Sequence, residues 1–152
     1  MDLDTSAVPE YAAPAASEVD AFYRTVLATL RPDATQVVAD LLGRTGPLPP
    51  AAREAAFTLH RLNRPSLLTT VHRNPFQAVV VNDSDPTQWG LLLTIAPHAS
   101  YLCLQGGGLF GELFTSAGTL SSVRAHLLPE QHQRVEAALA AVAAPALIPR
   151  RR

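Results

Sequence analysis

The sequence predicts an α+β fold, with helices placed before and after one antiparallel sheet. Three observations carry that prediction. Apolar residues from Val19 to Leu62 recur at helical spacing, those from about Pro65 to Thr115 form short runs split by turn residues, and helical spacing returns towards the C-terminus. Helices, then strands, then helices is the order of an α+β domain, whereas a parallel sheet needs the two in alternation. The expected architecture is a meander of four to five strands over about 66–114, with N-terminal helices over about 18–62 and C-terminal helices over about 116–143.

The first helix is expected over about 18–31. Ser17 and Asp20 have the spacing of an N-cap with an acid three residues on, and Val19, Phe22, Tyr23, Val26, Leu27 and Leu30 share one helical face. Pro32-Asp33 can stop that helix and open another, whose stripe is Val37, Val38, Leu41 and Leu42 and whose C-terminal cap is Gly43. After the rigid Thr45–Pro50 connector a third helix is expected from Ala51 to Leu62. Its face is Ala52, Ala55, Ala56, Leu59 and Leu62, whose small residues would let a neighbour approach closely.

Past Asn63-Arg64-Pro65 the pattern changes to strand-like runs. Strands are expected near 66–72, 77–82, 88–96, 100–104 and 109–114, with Pro, Asn and Asp in the connectors at 73–75, 83–86 and 97–99. Glu112 is the only Asp, Glu, Lys or Arg between Asp85 and Arg124, so the central strands are expected to lie mid-sheet under helical cover. Leu120, Val123 and Leu127 suggest a helix over about 116–127. Pro129-Glu130 opens a final one with Val135, Leu139 and Val142 inward.

At 152 residues, 47% hydrophobic and a net charge of -1, the chain has the size and balance of one globular domain. We expect that domain over about 17–145, between an acidic Pro/Ala-rich arm at 1–16 and a basic tail at 146–152 ending in Arg150-Arg151-Arg152. All twelve basic residues are Arg, the coding habit of a GC-rich, bacterial genome. Near-neutral charge disfavours general nucleic-acid binding. No apolar run reaches the roughly 20 residues of a spanning helix, and the start lacks the pattern of a secretory leader, so a cytoplasmic protein with no membrane partner is expected.

Motifs that carry chemistry are sparse. Gly106, Gly107, Gly108 and Gly111 match the G-x-G-x-x-G spacing in which bare backbone N–H groups approach a phosphate. The strand and helix alternation of a nucleotide fold is missing, however, so a hairpin tip is the simpler reading. Glu112 is a candidate acid or base if held among apolar neighbours, and otherwise a solvent-facing residue of an edge strand. His60, His72, His98, His126 and His132 have no metal-binding spacing, and Cys103 sits in an apolar run, so no metal, cofactor or catalytic residue is assigned.

Two functions follow. The first is a non-catalytic protein-interaction domain of adaptor, chaperone or inhibitor type, held to a partner or to itself as a homodimer by a sheet edge or helical face, with Phe76, Trp89, Phe110 and Phe114 as exposed aromatic candidates. The second is a small-ligand or phosphate-binding protein or enzyme built on the Gly106–Gly111 turn and Glu112.

Overall fold

The first expected helix forms as α1, Val19–Leu30, burying Phe22, Val26, Leu27 and Leu30. The computed structural model describes residues 10–42, 47–63, 74–77, 79–106, 111–117 and 122–149. The helix starts without a side-chain cap, because Ser17 lies within a short 3-10 turn, Ala16–Glu18, that leads into it. Strand β1 is Glu10–Ala12, inside the segment expected as an arm. The further elements are β2 (Ala34–Asp40), α2 (Pro50–Leu62), β3 (Val79–Val81), α3 (Pro86–Ile95), β4 (Tyr101–Gly106), β5 (Glu112–Ala117), β6 (Ser122–Ala125) and α4 (Pro129–Ala141).

The α+β class and the antiparallel sheet stand, and the sheet has six strands among the described residues, in the order β1-β6-β5-β4-β2-β3 with every pair antiparallel. The meander is confined to β4, β5 and β6. Strand β2 enters from the N-terminal half and separates β4 from β3.

Three segments take the other secondary structure from the one expected. Residues expected as a helix over about 32–43 form a 3-10 turn, Arg31–Asp33, followed by β2. Thr35, Val37 and Val38 are β-branched, and the segment pairs with strands on both sides, an option open to it only in the folded chain. The run expected as a strand over about 88–96 is α3. Asp85 caps it by accepting from the N–H groups of Thr87 and Gln88, and Pro86 opens its first turn. The expected helix over about 116–127 is instead the end of β5 and all of β6, where Val123 pairs with Tyr11 and Ser116. The strand expected over about 66–72 lies outside the described residues.

Alternation along the strands places all the helical cover on one face. Tyr11, Val37, Ala39, Val79, Val81, Leu102, Leu104, Phe114, Val123 and Ala125 belong to a single alternate set, and they share one core with the buried residues of all four helices. On that side α1 pairs with α4, with Arg134 also tied to Asp33 at 2.8 Å, and α2, which buries Ala52, Ala55, Ala56 and Leu59, pairs with α3. Among the described residues, no helix is long and apolar enough to cross a membrane.

Candidate interaction surface

The glycine turn joins two neighbouring strands. Gly106 N–H donates to the Gly111 carbonyl at 2.9 Å, and Gly111 has φ +68°, a left-handed conformation that glycine adopts without strain. A Cβ on Gly106 would lie 2.7 Å from Leu113 Cγ and 3.1 Å from the Asp33 carbonyl oxygen. Hairpin closure and close packing therefore account for both glycines. A phosphate loop presents free amides ahead of a helix, whereas here the Gly106 amide is committed and a strand follows. Gly107, Gly108 and Phe110 lie outside the described residues.

Glu112 is exposed at the start of β5, an interior strand of the sheet and not the edge strand expected. Leu104 pairs with Phe114 and Gln105 with Glu112, so Leu113 is an extra residue, a β-bulge. In a regular strand Glu112 and Thr115, three residues apart, would face opposite ways. The bulge brings both to the face away from the helices, where the Thr115 hydroxyl lies 3.3 Å from Glu112 Oε2 and 3.7 Å from Cys103 Sγ. Tyr101 joins them from β4, and its hydroxyl is pushed up to about 12 by partial burial, then by hydrogen bonding and charge from Cys103, and last by the Glu112 carboxylate.

Of the four aromatic candidates, two are not surface residues. Trp89 is 6% exposed under the Arg31 guanidinium, 4.7 Å from its ring, and Arg31 is held by a hydrogen bond to the Asp83 carbonyl. Phe114 is 1% exposed against the rings of Phe22 and Tyr23. The short apolar runs that made them look like interaction residues are the core itself. Phe76 is half-buried with its ring against Phe57, which at 40% is the more exposed of that pair.

Both sheet edges have backbone partners. Beside β1, Ala12 N–H donates to the Ile148 carbonyl and Tyr11 bridges to Pro149. Beside β3, the Asn63 side chain at the end of α2 donates to the Val80 carbonyl at 2.6 Å and to Gln88 Oε1 at 2.8 Å. These bonds occupy groups that an incoming strand would need.

The face opposite the helices carries no helix among the described residues. One row crosses all six strands there: Glu10, Arg124, Thr115, Cys103, Val38 and Val80, in the strand order of the sheet. It is graded, with the Arg124–Glu10 ion pair (3.3 Å) at one end and the two valines at the other. Val38 and Val80 are half-buried, Tyr101 is 37% exposed, and the small Cys103 is 2% exposed between Val38 and Thr115. Sequence reading missed this row because its members come from six separate segments. The available signal was the strand alternation of Gln36, Val38 and Asp40, obscured by the helical reading of β2.

Comparisons with protein-family models, with curated proteins and with solved structures return no match to this chain.

Proposed function

We propose that this chain is a non-catalytic protein-interaction domain whose binding surface is the sheet face that carries no helix among the described residues. The observation that carries the reading is the asymmetry of the sheet. One face holds the four helices, the other carries none among the described residues and has half-buried Val38 and Val80 and exposed Tyr101 beside buried Cys103, flanked by Gln36, Asp40, Gln105 and Glu112, and both edges have partners. An apolar patch flanked by polar side chains has the composition of protein interfaces. The Thr115 hydroxyl lies within hydrogen-bonding distance of Cys103 Sγ and Glu112 Oε2 on this face.

The test is selection of peptides from a displayed library on the immobilised domain, scored on the wild type and on Val38→Glu. Val38→Glu places a charge in the apolar end of the face and is expected to lower binding of the selected peptides at least tenfold. Peptides that bind both forms equally, or a selection that yields none, would sink the reading.

A further inference from the structure

We infer that β1 is a displaceable strap: it fills a strand slot between β6 and residues 147–149 that, once β1 leaves, takes an extended peptide in which an acid is followed by an aromatic residue. The slot lies at the sheet edge beside β6, apart from the sheet face proposed above to bind partners.

Backbone groups line the slot on both sides. Towards the sheet, Glu10, Tyr11 and Ala12 pair with Arg124, Val123 and Ser122. Away from it, Ala12 N–H donates to the Ile148 carbonyl at 2.9 Å and Tyr11 bridges to Pro149. Leu147, buried in the core, anchors this outer wall. Main-chain bonds of this kind hold any extended segment, and side chains choose among segments. Here Tyr11 supplies the choice, because it is 8% exposed, shares the core with Val123 and Leu147, and stands 6.1 Å from the His132 ring of α4. Glu10 adds an ion pair to Arg124 at 3.3 Å. The intrachain occupant thus displays the chemistry that a competing segment must carry.

The same contacts explain why β1 is the part that leaves. It is three residues long, and Tyr11 is its one buried side chain. The Glu10–Arg124 pair is exposed to solvent and adds little. By contrast, α1 buries Phe22, Val26, Leu27 and Leu30. Residues 13–15, which have no regular secondary structure, separate β1 from the turn that leads into α1, so the strand swings out without unwinding the helix. A terminal strand with one buried anchor opens at a lower free energy than the core strands do. While in place, it competes with any free peptide at the roughly millimolar effective concentration of a short tether.

Hydrogen exchange and a peptide titration, both followed by NMR on the full chain, test the strap and the slot separately. In the wild type the Ala12 amide is expected to exchange at least ~100-fold faster, relative to its unprotected rate, than the amides of β4. An Ala12 amide as protected as β4 overturns the strap. Tyr11→Ala, its fold checked by circular dichroism, is expected to bind an acetylated peptide of residues 10–15, with shifts at Ser122, Val123, Arg124 and Ile148. The same peptide carrying Tyr11→Ala is expected to bind this variant at least ~10-fold more weakly, and the wild-type chain to bind the unaltered peptide at least ~10-fold more weakly than the variant does. A peptide that leaves those amides unmoved, or that binds equally with and without its tyrosine, overturns the slot.

Discussion

Replacing Gly106 with alanine tests whether this glycine serves packing or ligand binding. The added methyl would sit 2.7 Å and 2.8 Å from Leu113 Cγ and Cδ1 and 3.1 Å from the Asp33 carbonyl oxygen, all inside ordinary contact distance. Leu113 can turn aside only by leaving the core it packs against, and the Asp33 carbonyl belongs to the backbone between α1 and β2. Forcing a methyl into such a site costs about 1–3 kcal/mol. Urea denaturation should show a lower midpoint with an unchanged slope. In a Leu113→Ala background the two closest contacts disappear and the Asp33 contact remains, so the penalty should shrink by about 1 kcal/mol. Wild-type stability for Gly106→Ala, or an equal penalty in both backgrounds, would refute the packing argument.

Two further predictions follow from side chains with defined tasks. Asp85→Ala removes the acceptor for the Thr87 and Gln88 N–H groups at the start of α3 and should cost about 1–2 kcal/mol by thermal or urea unfolding, with Asp85→Asn recovering most of it. Tyr11, Tyr23 and Tyr101 are all raised above the ordinary value of 10, each by burial first. Their neutral forms are favoured in the folded state, so the stability they contribute is complete below pH 10 and falls as the pH rises above it, for Tyr101 up to about 12. For Tyr101, more than a third exposed, screening limits that loss to about 1 kcal/mol. Phenolate absorbance of the folded protein should therefore develop only above pH 10, and a tyrosine ionising at or below that pH contradicts the burial.

Legibility in the sequence follows from how local each signal is. The α1, α2 and α4 stripes were readable because a helix face repeats within one segment, and Phe22, Val26, Ala55, Leu59, Val135 and Leu139 all bury as spaced. Leu91, Leu92 and Leu93 surround α3 with apolar side chains, so periodicity carries no message there. The cap at Asp85-Pro86 was the usable clue and was read as a turn. Ala34–Asp40 and Ser122–Ala125 have spacing compatible with helix or strand, and sheet partners far away in sequence decide for strand.

By itself the sequence determined the α+β class, the helical identity of α1, α2 and α4, and the apolar strand that carries Cys103, because each depends on side chains a few positions apart. Only the tertiary structure decided that β2 lies between β3 and β4, that the Leu113 bulge turns Glu112 onto the face of Thr115, and that Glu10, Arg124, Thr115, Cys103, Val38 and Val80 form one row. The physical reason is range. Strand pairing joins residues up to the whole chain length apart, and a surface assembled from six segments has no signature in any one of them.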